Sequence, residues 1–144
     1  MGKDVSEDIR SPKVDENVAK FAAIKIVRDK MTPLQRKMGE NSDIIMEGRD
    51  IGTVVFPNAN VKIYLDCSLE ERAKRRYKQN LEKRINETYE EVLESMIKRH
   101  KLETEREIAP FVKPKDAITV DSTNMSIEEV VDTIEEIIRR KKND

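Results

Sequence analysis

Cysteine and histidine occur once each in this 144-residue sequence, and tryptophan is missing. The shortages of cysteine and histidine each argue against a class of protein. The single cysteine, Cys67, cannot form an internal disulfide and suits a reducing compartment. The single histidine, His100, has no metal-ligand partners nearby in the sequence. No apolar run approaches the ~20 residues of a membrane span, and the polar N-terminus does not resemble a signal peptide. We therefore expect a soluble, cytoplasmic protein without a membrane partner.

The sequence also has no marked excess of either positive or negative charge. Lysine and arginine number 28 and acidic residues 29, so the net charge is -1. A protein that depends on contacts with DNA or RNA phosphates is normally basic. We expect no nucleic-acid partner, and the length suits one domain with its own core.

Strand and helix patterns alternate in the second part of the chain. Apolar segments predict three strands, at 44–47, 61–66 and 117–121. After the second and third strands, a Ser-x-x-Glu pattern opens a helix, at Ser68 and at Ser126. This alternation indicates an α/β fold in which helices connect the strands of a parallel sheet.

Helical spacing of apolar residues predicts further helices on both sides of these strands. Two lie near the N-terminus, at 14–26 and 27–38. Thr32 and Pro33, within the second, predict either a kink or a new helix start. Another capping pattern opens a helix at Thr88, and the last helix carries a continuous apolar stripe.

The turn after the first predicted strand carries the strongest functional signal. Gly48 allows a sharp turn, which places Arg49 and Asp50 at the carboxyl end of the strand. Ligands bind at that edge of open α/β sheets. Arginine binds a phosphate or carboxylate with two parallel hydrogen bonds, and aspartate accepts hydrogen bonds from amino or hydroxyl groups. The turn therefore predicts a site for a small molecule that carries both an anion and donors.

Two arginine-rich segments, at 72–76 and 98–106, leave two interpretations open. The simpler one is a pair of solvated helix faces with Glu–Arg pairs. The functional one is a mobile lid that brings positive charge to a transferring phosphoryl group. Arg28 has the same ambiguity, because it is a surface residue unless Asp50 lies opposite it across a pocket.

Residues 48–57 closely resemble a signature of the bacterial cytidylate (CMP) kinases. The resemblance continues through further segments, at 2–6, 9–11, 61–66, 70–76, 106–110 and 121–123. It implies the P-loop nucleoside monophosphate kinase fold, a parallel sheet with flanking helices and a helical lid. It also implies that ATP phosphorylates CMP or dCMP in the presence of Mg.

The resemblance further implies roles for residues on the acceptor side. Arg28 and Asp50 match residues that bind the cytosine ring, and Arg49 and Arg106 match residues that hold the acceptor phosphate. Ala19 stands where the family usually has a serine that touches the base.

Other matched residues lie near the sugar and in the lid. Arg99 matches a residue that contacts the sugar, and Glu103 replaces an aspartate that is usual beside it. Arg72, Arg75 and Arg76 match the start of the lid, which clamps ATP and stabilises the transferring phosphoryl group.

A phosphate-binding loop of the form G-x-x-x-x-G-K-[ST] does not occur in the 144 residues. Family members carry this loop near the N-terminus, where it holds the donor phosphates and Mg. We therefore expect an N-terminally truncated kinase that receives Mg mainly through ATP and that loop. Glu47, in place of the usual aspartate, is a candidate for the outer shell of Mg. A complementing N-terminal segment is a candidate partner.

The resemblance also divides the chain, residues 1–144, as a single partial kinase domain. The expected parts are a remnant of the acceptor-binding region at 1–12, core at 13–78 and 111–144, and lid at 79–110. In the family fold the first strand lies between the strands matched here by 44–47 and 61–66, so we expect a slot in the sheet or a rearranged sheet. A nucleotide-binding module or an inert fragment, neither with catalysis, are the alternative functions.

Overall fold

The structure is a computed structural model that describes residues 3–6 and 8–143. It has an α/β fold with a parallel sheet, as the sequence predicts. Its helices and strands, in chain order, are α1 (Pro12–Ala22), α2 (Lys25–Met38), β1 (Ile63–Asp66), α3 (Leu69–Glu82), α4 (Tyr89–Glu105), β2 (Ile118–Asp121) and α5 (Ile127–Asn143). Two short turns complete it, a 3-10 helix at Asp8–Arg10 and a π-helical turn at Ile51–Val55.

The sheet consists of β1 and β2, which pair in parallel and are connected through α3 and α4. Ile63 lies opposite Ile118, and Asp66 lies opposite Asp121 at the carboxyl end. The backbone N–H of Ser68 donates to Thr123 Oγ1 at 2.9 Å, so the loops after the two strands are also joined.

The predicted strand at 44–47 is wrong. These residues are not paired with any strand in the part of the chain that the structure describes. Ile45 is 95% exposed. An apolar run predicts burial, but a strand also needs a neighbour that takes up its backbone hydrogen bonds. In the described structure neither β1 nor β2 pairs with 44–47 along its second edge, so these residues have no such neighbour.

The N-terminal helices differ from the predicted bounds. α1 ends at Ala22, and Ile24 has an extended backbone that precedes α2. α2 continues through Pro33, so a new helix start at Pro33 is wrong. It ends before Gly39 as predicted, where the Gly39 N–H donates to Arg36 O at 3.0 Å.

Side-chain caps open the three later helices at the predicted positions. Thr88 Oγ1 accepts from Glu91 N at 3.2 Å, and Thr88 N donates to the Glu91 carboxylate at 2.7 Å. α5 begins with the same reciprocal arrangement. In α3, Ser68 Oγ accepts from Glu71 N, but the Glu71 carboxylate binds Arg75 instead. Each cap satisfies backbone donors that a helix start leaves unpaired.

Small side chains form the buried apolar core. The buried apolar residues are Ala19, Val55, Ala73, Val92 and Val120. α3 and α4 pack against each other, and each contributes one of them. α5 forms the predicted helix but has no buried residue, and its Ile127 is 80% exposed. No helix in the described ranges is long and apolar enough to cross a membrane.

Ala73 has no exposed surface, so a larger side chain has no room there. We expect Ala73→Leu to lower the free energy of unfolding by about 1–3 kcal/mol, because overpacking forces neighbours out of their preferred rotamers. Lys74→Leu, at an exposed position of the same helix, should stay within about 0.5 kcal/mol of the wild type. Urea unfolding of the three proteins measures the difference, and equal midpoints for both variants would contradict this packing.

Candidate active site

Two adjoining cavities contain most of the predicted site residues. The smaller, of about 110 Å³, lies between α1, α2, the turn at 48–50 and the end of α4. Its charged lining residues are Arg28, Arg49, Asp50, Arg99, Glu103 and Arg106. The larger, of about 150 Å³, lies between α3 and α4. Arg49, Arg99 and Glu103 line both cavities, so the two adjoin at a shared wall.

Arg28 and Asp50 form a buried ion pair at one end of the smaller cavity. The Arg28 side chain is 12% exposed and that of Asp50 is 6% exposed. Asp50 thus contacts Arg28 directly, and both line the smaller cavity; the role of Arg28 in binding a base stays a prediction. Burial lowers the pKa of Arg28, and the positive charge of Arg106 lowers it further. Arg28 Nε is buried and has no hydrogen-bond partner among the described residues.

The turn that presents Asp50 is held by its own backbone and by α2. A Cβ on Gly48 would lie 2.8 Å from Ile51 Cγ1, so any larger residue there would force the Ile51 side chain to move. Arg36, on α2, donates to Val55 O at 2.9 Å and to Val54 O at 2.6 Å. Sequence reasoning missed Arg36, because its pattern in α2 does not distinguish it from a solvated helix residue.

Glu103 links two arginines in the wall shared by the cavities. It accepts from Arg99 Nε at 2.8 Å and lies 2.9 Å from Arg49 Nε. Only 4% of Glu103 is exposed. A buried carboxylate is tolerated when cations of this kind pair with it. Glu103 therefore fixes the two arginines relative to each other.

Arg106 completes the charged wall of the smaller cavity. Its Nε donates to Ala109 O at 2.6 Å, which folds the chain back after α4. Ala109 has a φ of 49°, in the left-handed region that only a well-held turn imposes on alanine. Burial lowers the pKa of Arg106, and the charge of Glu103 opposes that change.

The three arginines of α3 that match the lid of the family have two different surroundings. Arg72 and Arg76 line the larger cavity, and Arg72 Nε is buried without a hydrogen-bond partner in the described ranges. Arg75 lines neither cavity; it binds Glu71 at 3.0 Å and Ser122 O at 2.7 Å. It joins α3 to the loop after β2, and its catalytic role stays a prediction.

Asn80 lines the larger cavity and was not predicted from the sequence. It is 2% exposed, and its Nδ2 donates to Glu87 at 2.6 Å. An asparagine in a charged helix gives no signal of burial, so only the packing of α3 on α4 reveals it.

Metal ligands are not clustered in the described part of the chain. No group of three or more His, Cys, Asp or Glu residues there could hold a metal ion. Glu47 is exposed in the unpaired segment, and its role near Mg stays a prediction.

The model of the family described as cytidylate kinase matches residues 1–140. The chain belongs to the cytidylate kinase family. It is therefore related to the P-loop nucleoside monophosphate kinases, which agrees with the α/β fold and parallel sheet. The resemblance noted at residues 48–57 is confirmed.

Curated relatives named cytidylate kinase share about half of their aligned residues with this member of the family. The relative from Fusobacterium nucleatum is 50% identical over 139 residues, which cover 96% of this chain and 64% of the relative. The relative from Thermosipho africanus is 51% identical over 140 residues, or 97% of this chain and 63% of the relative. The relative from Bacillus subtilis is 45% identical over 140 residues, which cover 97% of this chain and 62% of the relative. The chain thus spans less than two thirds of the length of each relative.

The buried pair of Arg28 and Asp50 should contribute strongly to stability. We expect Asp50→Ala to lower the free energy of unfolding by about 3–5 kcal/mol, because it leaves a buried guanidinium unpaired. Asp29→Ala removes the partner of Lys25 in an exposed pair on α2, and should cost no more than about 1 kcal/mol. Urea unfolding compares the two variants.

A double variant, Arg28→Met with Asp50→Leu, provides a further comparison. Replacing both charges by apolar groups should recover most of the loss. If Asp50→Ala were no more destabilising than Asp29→Ala, the pair would not be buried as described.

Proposed function

We propose that the protein is a nucleoside monophosphate kinase that transfers a phosphoryl group from ATP to CMP or dCMP, giving CDP or dCDP. It would act in pyrimidine nucleotide metabolism in the cytoplasm. The relatives are named cytidylate kinases, which supports the activity. The charge arrangement in the smaller cavity is the observation that carries the proposal.

Four guanidinium groups and two carboxylates line the smaller cavity, so it has two positive charges in excess. A phosphate monoester carries about -1.5 to -2 charge at neutral pH, and a site of this charge can neutralise it. Arg28 pairs with Asp50 through a terminal guanidinium nitrogen, whereas the polar contacts of Arg49 and Arg106 in the described residues use their Nε atoms, to Glu103 and to Ala109 O, and leave the terminal nitrogens for an incoming phosphate. These would bind the acceptor phosphate.

The buried pair at the other end of the cavity suits the base. The Asp50 carboxylate can accept a hydrogen bond from the exocyclic amine of cytosine, and Arg28 can donate to an acceptor on the ring. Ala19 lines the same cavity and offers no polar contact. Arg99 and Glu103 line both cavities, and the sugar would bind beside them.

Transfer would take place where the two cavities meet. A phosphate held at the shared wall by Arg49 would face Arg72 and Arg76 in the larger cavity. Arg72 has a buried N–H without a partner in the described part of the chain, and a phosphoryl oxygen would supply the missing acceptor. Positive charge placed in this way stabilises the transferring group, and a closed lid excludes water. When bound, Mg neutralises charge on the ATP phosphates.

The arginines of the two cavities do not suffice to bind ATP, because the donor phosphates also need a phosphate-binding loop. The 144 residues contain no such loop. We include in the proposal a complementing N-terminal segment that supplies this loop. Mg would arrive with ATP, with Glu47 in its outer shell. A nucleotide-binding module or an inert fragment, neither with catalysis, remain the competing functions of the chain alone.

Binding of CMP tests the acceptor site directly. We expect calorimetry to show that the 144-residue chain binds CMP more tightly than cytidine, because only CMP contacts the arginines. Arg106→Met should weaken CMP at least about tenfold, the size expected for a lost hydrogen bond to a charged group, and leave cytidine unchanged. Arg139→Met, on the exposed face of α5, is the matched control and should change neither. No heat at millimolar CMP would favour the inert fragment.

Catalysis by the chain alone tests the need for the loop. A coupled assay of ADP release with the 144-residue chain, CMP, ATP and Mg should show no useful turnover, because positioning the donor phosphates is most of phosphoryl-transfer catalysis. Turnover of about 1–100 per second, typical of kinases, would contradict this part of the proposal.

A further inference from the structure

The aromatic ring of Phe111 packs against the guanidinium group of Arg49. The guanidinium carbon of Arg49 lies 4.9 Å from the centre of the Phe111 ring. Phe111 stacks on Tyr64 of β1, with ring centres 5.7 Å apart and planes inclined by 19°. His100 of α4 contacts the same ring edge-on, with ring centres 6.2 Å apart. A cation over an aromatic face is attracted by the electron density of the ring.

The backbone of Phe111 is tied to the residue that pairs with Arg49. Phe111 N donates to Glu103 O at 2.8 Å. The Glu103 carboxylate lies 2.9 Å from Arg49 Nε. Glu103 thus binds an edge of the guanidinium, and the guanidinium carbon lies over the Phe111 ring. An edge contact alone allows the plane to tilt, and a stacked ring restricts that motion.

A direct contact with the ligand does not explain Phe111, because the residue lines neither cavity. Simple core packing does not explain it either, since Phe111 is only half-buried. Its ring lies against the arginine proposed to bind the acceptor phosphate. Bidentate binding of phosphate depends on the orientation of the guanidinium plane.

We infer that Phe111 is a positioning residue that fixes the plane of Arg49 for the acceptor phosphate. The inference rests on the proposed function, because it uses Arg49 as a phosphate ligand. It assigns Phe111 a role that neither its burial nor its position in the chain indicates.

Comparing CMP with cytidine isolates the contribution of the phosphate. Phe111→Leu keeps an apolar side chain but loses the aromatic face. It should lower the ratio of the cytidine Kd to the CMP Kd by about 2- to 10-fold, with the cytidine Kd unchanged. Phe111→Tyr keeps the face and should retain the ratio. Phe21→Leu, at a 60% exposed phenylalanine of α1, is the matched control and should also retain it.

A double-mutant cycle shows whether Phe111 acts through Arg49. In an Arg49→Met background, Phe111→Leu should have no further effect on the ratio. An effect that persists there, or an equal weakening of cytidine and CMP, would show a merely structural role and overturn the inference.

If the proposed function is wrong, the wild-type protein will bind CMP and cytidine with equal Kd values. This result differs from every outcome of the Phe111 variants described above. The contact is then tested by NMR of the Arg49 Nε–Hε signal with inorganic phosphate as the probe. We expect a ring-current shift and a response to phosphate in the wild type and in Phe21→Leu, and the loss of both in Phe111→Leu. A wild-type signal without that shift or without that response would overturn the inference.

Discussion

One buried carboxylate, that of Glu103, joins the parts of the site that come from distant positions in the chain. It pairs with Arg49 from the turn after 44–47 and with Arg99 from its own helix. Its backbone carbonyl also accepts from Phe111, which leads the chain toward β2. A carboxylate that has lost its water must keep its cations close. The burial of Glu103 therefore holds in place Arg49 and Arg99, the two arginines that line both cavities.

The apolar core contributes little to this arrangement. The buried apolar side chains are alanines and valines, and α5 buries none of its residues. The turn that carries Asp50 is held instead by hydrogen bonds from Arg36 to two backbone carbonyls and by the pair with Arg28. Polar contacts thus position this turn beside the smaller cavity.

The arginines of α3 show how helix geometry separates similar residues. Arg72 and Arg76 are four positions apart and line the same cavity, whereas Arg75 faces the loop after β2. Residues at i and i+4 share one face of a helix, and the residue at i+3 lies close to that face without coinciding with it. The sequence groups the three arginines as one motif, and the structure gives them two different surroundings.

Local patterns and one specific motif predicted the family, the parallel α/β class and the starts of α3, α4 and α5, but left open whether Arg28 is a surface residue. The three helix starts depend on local hydrogen bonds, in which Ser68, Thr88 and Ser126 cap the helix that follows. Three other features depend on the tertiary structure. It left 44–47 unpaired, turned Arg75 away from the cavities, and brought Phe111 beneath Arg49. The reason is that strand pairing, burial of charge and stacking depend on neighbours far away in the chain, which no local pattern specifies.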